Sequence, residues 1–426
     1  MVPIITQRTI SRRTVFTAGA LGLFSLGATG CAPSKPTITL YQSKPEVIPY
    51  FRDLIAQFNE TVGDFKVVHD ATSSLSGSFA RGNPPDAGCL NYNYEMARFQ
   101  ERGELSDLSG MLANINIAPG IQELVDQYPT YLGRTSVIPY SMMAAATFYN
   151  KDIFDAHGLD IPETYSELID VCEKLTAAGV TPFYFTTADA WTISQGIADY
   201  SIGGSIDVAD FFAQLRALGQ DASDDSEVSF AKNFKEPLEK GLQLAQYTNK
   251  DATSRGYGDG NLAFANGEAA MYLQGPWAIS EIMSINPDAN IGIFPLPMTE
   301  NPADRKVRVN LDLALWIPEK ASHLEYSRQL LEYLLTPSIM DEYNAANNGF
   351  GVREDSPAVT DPRLQDLQKF VDEAAFYQGA SVSIPRTIPF ENYMQSIFSG
   401  GNLEETLKTL DGDWQRTARR QATNEQ

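Results

Sequence analysis

Short apolar runs alternate with helical periodicity from residue 37 onward. Residues 37–41 and 65–69 are predicted to form short strands, and the brief apolar run 87–90 suits a buried parallel strand. Between the first two, residues 49–58 repeat with a helical period, and one face carries Phe51, Leu54, Ile55 and Phe58. This order of strand, helix and strand predicts an α/β domain, in which ligands bind beyond the carboxyl ends of the strands.

A second α/β pattern begins with an apolar strand at 144–150. A helix is predicted to open at Thr164 and to end near Gly179. Further strands are predicted at 182–186, 271–273, 291–296 and 311–317, and helices at 207–219, 230–247, 259–267, 321–335, 337–346, 361–376 and 391–410. About fifteen residues at the C-terminus are polar, and we expect them to be frayed.

The N-terminus combines a basic start, an apolar run and small residues before a cysteine. Three arginines are the only charged residues before Cys31, and residues 15–28 are mostly apolar. That run is shorter than the about 20 residues that span a bilayer, so it predicts a signal peptide at 1–30. Cys31 ends the sequence ATGC, which resembles a bacterial lipobox with Ala28 in place of the usual Leu. We therefore expect cleavage before Cys31 and acylation of its thiol.

The route of export and the final location follow from the same segment. Residues 11–16 (SRRTVF) resemble a twin-arginine signal, with Val15 in place of the usual Phe, and they also suit the general secretion route. Both routes stay open. We expect a protein anchored by lipid to the outer face of the cell membrane, as on a Gram-positive surface, with residues 31–36 as a short tether.

The 426 residues carry a formal charge of −22. The length exceeds what one hydrophobic core supports, which predicts two domains. An acidic surface repels phosphate backbones and anionic lipid, so nucleic acid is excluded as a partner and the acyl chain remains as the membrane attachment.

Metal and cofactor chemistry find little support in the sequence. The three histidines are not at metal-ligand spacing, so no cofactor is predicted. Asp221, Asp224 and Asp225 form an acidic stretch without the spacing of an EF-hand, and a solvated loop or a structural calcium both stay open. Cys89 and Cys172 are expected to be buried free thiols.

Motifs for enzymatic catalysis are also missing. The chain has no GxSxG elbow, no P-loop and no CxxC. Paired carboxylates of a glycoside hydrolase stay open, because their separation is spatial. We expect a protein that is not an enzyme.

Three blocks of the sequence stand out. They are PDA at 85–87 with GELSDL at 103–108, YNKDIF to GVTP at 149–182, and FANGEAAM at 264–271 with GPW at 275–277. Together they resemble the bacterial extracellular solute-binding proteins, the family to which maltose-binding protein belongs. Tyr165 stands where the second block usually has Trp. The blocks keep the family's order, and the resemblance covers essentially the whole mature chain.

The resemblance implies two α/β lobes joined by strands that cross more than once and close over a ligand in a cleft. The closed form would dock on a membrane permease driven by a separate ATPase, and we expect the receptor to be a monomer. The implied lobes consist of residues 37–142 plus 295–345 and of residues 143–294 plus 346–426.

Aromatic candidates for the cleft follow two predicted strands. Trp277 comes after the turn at Gly275, and the resemblance favours the cleft over the core for its ring. Trp191 follows another strand end, with Asp189 two residues before it. The alternatives are a Trp that packs from the core side and an Asp that caps the next helix.

Polar candidates follow the strands of the first domain. Tyr41 and Gln42 come after the first strand, and Asn91, Tyr92 and Asn93 come after the strand that contains Cys89. Amides can each satisfy two neighbouring sugar hydroxyls. A plain polar loop is the alternative.

Four more candidates come from the crossings and the last segment. Tyr140 precedes the first implied crossing, where it would face the cleft or pack in the hinge. Asp312, with Asn310 nearby, lies in an apolar strand and needs a partner, which could be a ligand, Arg308 or a backbone amide. Arg386 could close the site.

These residues favour capture of a carbohydrate, and of an oligosaccharide in particular, for an ABC importer. Sugar rings have apolar faces and polar rims, which suit aromatic plates combined with hydrogen-bonding side chains. A polyol, a glycerol-phosphate ester or a polyamine stays open as the ligand. A lipid-anchored glycoside hydrolase and a purely structural surface protein are the alternatives from other classes.

Overall fold

The computed structural model describes residues 35–61 and 63–424, with side chains through residue 420. The predicted signal peptide and Cys31 lie outside the described residues. Within the described residues, no helix is both long enough and apolar enough to cross a membrane.

A mixed sheet forms the frame of the molecule. Its main path runs in the order β2-β1-β3-β8-β4-β6-β5, with β7 paired to β4 and β9 paired to β8. The strands are β1 Thr37–Tyr41, β2 Lys66–Asp70, β3 Ala87–Leu90, β4 Ile138–Asn150, β5 Thr181–Phe183, β6 Ala269–Gln274, β7 Ile291–Phe294, β8 Val307–Trp316 and β9 Phe376–Gln378. We call the β1–β3 end of the sheet the first lobe and the β5–β7 end the second lobe.

The long strands β4 and β8 connect the two lobes. Residues Ile138 to Ala145 of β4 pair antiparallel with β8, and the rest of β4 pairs with β6 and β7. Every residue of β4 except Asn150 is buried, which explains its continuous apolar run. A strand shared in this way joins the lobes through backbone hydrogen bonds.

Helices cover the sheet in both lobes. They are α1 Ile48–Thr61, α2 Leu75–Ala80, α3 Tyr94–Glu101, α4 Ser109–Leu112, α5 Glu123–Asp126, α6 Lys151–Ala156, α7 Tyr165–Ala177, α8 Ala190–Ile193, α9 Asp199–Gly203, α10 Val208–Leu218, α11 Phe230–Asn233, α12 Lys235–Leu244, α13 Tyr257–Ala265, α14 Ile279–Ile285, α15 Leu324–Leu334, α16 Pro337–Asn347, α17 Gln365–Asp372, α18 Phe390–Phe398 and α19 Leu403–Asn424.

Helix α7 shows how local sequence fixes an element. Thr164 caps its start, and Glu167 closes a capping box by bonding back to the Thr164 backbone. Gly179 follows its end with a φ of 77°, a conformation that glycine adopts without strain. The predicted start at Thr164 and end near Gly179 are therefore confirmed.

The C-terminal residues correct the prediction of a frayed tail. Helix α19 continues to Asn424, because Trp414 is buried against Phe212 and Phe230 and holds the helix on the second lobe. The predicted helix 391–410 is in turn broken in two. Gly400, with a φ of 97°, ends α18 before α19 begins.

Both described cysteines agree with the sequence. Cys89 lies in β3 and Cys172 in α7, and both are free and fully buried. Burial raises the pKa of the Cys172 thiol to about 12 and that of Cys89 well above its usual value. These thiols therefore belong to the hydrophobic core.

Candidate functional site

A buried polar cluster forms around Asp312 in the first lobe and β8. Lys44 Nζ forms an ion pair with Asp312 Oδ1, Asn91 Nδ2 lies 3.4 Å from the same oxygen, and Tyr343 Oη donates to Asp312 Oδ2 at 3.2 Å. The Asp312 side chain is 4% exposed and that of Lys44 is 13% exposed. Asp312, a carboxylate in an apolar strand, thus has Lys44 as its charged partner. Arg308, which the sequence offered as a partner, pairs with Asp199 instead.

The charge on Lys44 is stabilised by this arrangement. Burial lowers the pKa of Lys44, but the carboxylates of Asp312 and Glu46 outweigh that effect and leave the pKa above its usual value. Glu46 Oε1 lies 3.4 Å from Lys44 Nζ on the solvent side. The ammonium is therefore held between one buried and one exposed carboxylate.

The sheet register brings these residues together. Leu90 of β3 pairs with Ala314 of β8, so Asn91 follows directly beside the part of β8 that holds Asp312. Tyr92 N donates to Leu311 O at 3.1 Å and fixes the loop. Lys44 arrives from the turn after β1, the neighbouring strand of β3.

Trp277 lies at the end of β6 in the second lobe, with a half-buried ring. Its indole Nε1 donates to Gln274 Oε1 at 3.0 Å. The ring folds back over Gly275, where an added Cβ would be 2.2 Å from Trp277 Cζ3. Glycine is therefore required at position 275 for this ring position, and the indole packs against two clusters of the hydrophobic core.

Trp191 and Tyr257 form an aromatic pair in the second lobe. Their ring centroids are 5.2 Å apart at 54°, and both residues are half-buried. Asp189 Oδ2 accepts from Tyr257 N at 2.7 Å. Asp189 stands at the N-cap of α8 but makes no side-chain bond to that helix, so it positions α13 instead.

Electrostatics connect the polar cluster with the aromatic pair. Burial raises the pKa of Tyr257 to about 12, a hydrogen bond with Asn261 opposes this, and the carboxylates of Glu281 and Glu46 add to it. Glu46 belongs to the first lobe and contacts Lys44. A carboxylate of the first lobe therefore acts on the pKa of a tyrosine in the second lobe.

Four of the predicted site residues are buried in the structure. Tyr140 is fully buried and packs against Tyr343, with centroids 5.4 Å apart. Tyr92 is 2% exposed and packs edge-on against Tyr128. Gln42 is fully buried, and among the described residues its amide has no hydrogen-bond partner. Tyr41 is also buried, and its hydroxyl accepts from Ser43 at 3.0 Å.

Asn93 and Arg386 come together at a small cavity of about 150 Å³ between the lobes. Asn93 caps α3 through the amides of Glu95 and Met96, and Arg386 N donates to Glu95 Oε1 at 3.3 Å. The Arg386 side chain is exposed. The residues that line this cavity are different from those around Asp312 and Trp277.

Asn310 belongs to a buried ion-pair centre. With its amide oxygen turned toward Arg308, it meets Arg308 Nη1 at 3.2 Å. Arg308 Nε donates to Asp199 Oδ2 at 2.9 Å, and Ser381 donates to Asp199 from both its N and its Oγ. Asn310 therefore supports this centre.

Several residues of the site are absent from the sequence prediction. Lys44, Tyr343, Tyr257 and Gln274 all contact predicted residues. Gln274 directly precedes GPW, and Tyr257 lies seven residues before FANGEAAM, so their nearness to this block is a signal that could have found them. Within residues 35–61 and 63–424, no group of three or more His, Cys, Asp or Glu side chains is placed to hold a metal ion.

A profile described as bacterial extracellular solute-binding protein matches residues 43–341, well over half of the chain. The chain belongs to this family. The solute-binding proteins it resembles include the multiple sugar-binding protein of Streptococcus mutans, which is 26% identical over 367 residues, or 81% of this chain and 84% of the relative.

Other relatives extend the comparison. The sn-glycerol-3-phosphate-binding periplasmic protein UgpB of Salmonella typhimurium is 28% identical over 189 residues, 40% of this chain and 43% of that protein. Apo RafE of Streptococcus pneumoniae superposes with a TM-score of 0.76 at 21% identity, over 90% of this chain and 98% of RafE. RafE in complex with raffinose gives a TM-score of 0.71 at 21% identity, over 90% and 99%. The predicted two-lobed α/β fold is confirmed.

Proposed function

We propose that this protein captures a carbohydrate, and an oligosaccharide in particular, between its lobes and delivers it to the permease of an ABC transporter. The observation that carries the proposal is that the second lobe holds half-buried aromatic rings at Trp277, Trp191 and Tyr257, while the first lobe holds the polar cluster around Asp312. Relatives named for sugar binding support it.

The two groups match the chemistry of a sugar. Trp277, Trp191 and Tyr257 would stack on the apolar C–H faces of sugar rings. Asp312 and Asn91, with Lys44 beside them, would hydrogen-bond the hydroxyl rims, and these contacts would be costly to leave unpaired when the lobes close. Closure would bring together residues 37–142 plus 295–345 and residues 143–294 plus 346–426.

A glycerol-phosphate ester is the second candidate ligand, because UgpB is among the relatives. A phosphate group binds best to several cations. Lys44 is already paired with Asp312 and Glu46, and Asp189 and Glu281 add negative charge near Tyr257. A neutral sugar fits this balance better than a phosphate ester.

The proposal includes an anchor at Cys31. Lipid on this cysteine would hold a monomeric receptor near its permease and raise the effective concentration of each for the other. In the native host, the wild-type protein should partition into the detergent phase, and Cys31→Ser should move it to the aqueous phase. Equal partitioning of both would exclude the lipid anchor.

A thermal-shift panel tests the binding function, because a ligand that binds only the folded state raises the melting temperature. The panel contains galactose, melibiose, raffinose, stachyose, maltotriose and sn-glycerol 3-phosphate. We expect a shift with at least one oligosaccharide and none with the phosphate ester. A shift with the ester alone would replace the sugar proposal, and no shift with any compound would contradict it. Hydrolysis of a chromogenic glycoside that depends on one acidic residue would favour the enzyme.

A further inference from the structure

Gln274 is the last residue of β6 and stands directly behind the indole of Trp277. Its Oε1 accepts the indole Nε1–H at 3.0 Å, and only 3% of its surface is exposed. The backbone of Gln274 pairs with Ala146 in the long strand β4. The acceptor for the indole is therefore carried by the central sheet rather than by a loop.

Tyr272, a second buried residue, lies on the same strand two residues before Gln274. Burial raises the pKa of the Tyr272 hydroxyl, and hydrogen bonds with Gln274 and Thr186 oppose that increase. Tyr272 Oη in turn lies 3.4 Å from the backbone oxygen of Tyr257, whose ring packs at a tilt against Trp191. Strand β6 thus carries both the acceptor of the Trp277 indole and the hydroxyl that contacts Tyr257.

Two features act on the orientation of the indole. Gly275 gives the ring room to fold back over the backbone, since a Cβ there would overlap the ring. That space permits the ring to lie over Gly275 but does not fix the torsion angles of the Trp277 side chain. A directional hydrogen bond from Nε1 to a rigid acceptor selects the tilt.

We propose that Gln274 is a positioning residue that sets the tilt of the Trp277 plate for stacking on a sugar ring. The inference rests on the proposed function for its consequence in binding, but the contact itself exists without ligand. Because Gln274 is buried, it acts through the indole and does not contact the sugar. Its role depends on an oxygen acceptor at this place and not on side-chain volume.

The first experiment needs no ligand. The chain has four tryptophans, so protein labelled with ¹⁵N-tryptophan gives four indole N–H signals, and Trp277→Phe identifies one of them. Gln274→Met removes the acceptor at similar volume, and we expect it to move the Trp277 signal while the other three stay in place. Gln274→Glu retains an oxygen and should return the signal toward its original position. An unmoved Trp277 signal in Gln274→Met would overturn the proposal.

The second experiment measures coupling in binding, with raffinose as the probe. We expect Gln274→Met to weaken raffinose binding about tenfold in the wild-type background and by less than about twofold in the Trp277→Phe background. Phenylalanine has no ring N–H group, so Gln274 Oε1 cannot orient the ring at position 277 in that background. Equal losses in both backgrounds would mean that Gln274 acts only on general structure. If the wild-type protein does not bind raffinose, that result counts against the proposed function. The indole signals still test the positioning role of Gln274 by themselves.

Discussion

Arg308 Nε donates to Asp199 Oδ2 at 2.9 Å, and neither side chain has any solvent exposure. Ser381 completes the carboxylate's hydrogen bonds. Removing one charge leaves the other buried without its counter-ion. We expect Arg308→Met to lower the free energy of unfolding by about 3–5 kcal/mol, measured by urea denaturation.

The control for that variant is an exposed ion pair. Arg52 is 67% exposed and bonds Asp53 at 2.9 Å. Arg52→Met should change the free energy of unfolding by less than about 0.5 kcal/mol. Similar losses for the two variants would contradict a special cost at the buried pair.

Lys44 and Asp312 should be coupled in stability. Either Lys44→Met or Asp312→Asn removes one partner of a largely buried pair, and we expect each to destabilise the fold by about 3 kcal/mol. The double variant should lose clearly less than the sum, because no unpaired charge remains. Urea denaturation of the four proteins measures the coupling, and strictly additive losses would contradict the ion pair.

Asp411 should give a pH dependence of stability. Burial raises its pKa to about 6, although the amides of Phe230 and Ala231 donate to it and oppose the increase. An acid whose folded pKa exceeds its unfolded value of 3.8 binds protons more tightly in the fold, so this group favours folding as pH falls from 6 to 3.8.

The measurement compares wild type with Asp411→Asn by urea denaturation at pH 7 and pH 4. The free energy of unfolding of the wild type should rise relative to the variant at the lower pH, by up to about 2 kcal/mol. A difference between the two proteins that does not change with pH would show that Asp411 titrates alike in both states.

Gly275→Ala should impair binding by displacing the indole. The added Cβ would overlap the Trp277 ring, which must then rotate away from Gln274. We expect saccharide affinity to fall about tenfold or more, since ring and acceptor act together. Gly258→Ala, beside Tyr257 in α13, meets no atom within 4 Å and should bind as wild type does. Equal affinity of the two variants would show that the ring position does not matter.

Much of the fold could be predicted because most of its strands are apolar and buried. The predicted strands at β1 and β3 match the observed strands residue for residue, and β3 is buried at three of its four positions. Strand β8 begins four residues earlier than predicted, because polar Arg308 and Asn310 interrupt its apolar run. Arg308 is buried only because Asp199, remote in sequence, neutralises it.

The candidate site could be predicted only in part, because its contacts are long-range. Lys44 is 268 residues from Asp312, and Tyr343 is 31 residues from it on another element. The sequence indicates that Asp312 needs a partner, but the partner depends on which loops the sheet register brings together. Tyr140 illustrates the reverse case, because its place before a crossing does not reveal that α16 covers it.

The central claim is that a saccharide binds between the lobes against Trp277. Isothermal titration of the saccharide that most raises the melting temperature, into wild type and Trp277→Ala, tests it most directly. We expect one-to-one binding to the wild type. For the variant, whose cooperative unfolding should persist, we expect no measurable binding heat. Equal affinity of the two proteins would contradict the account.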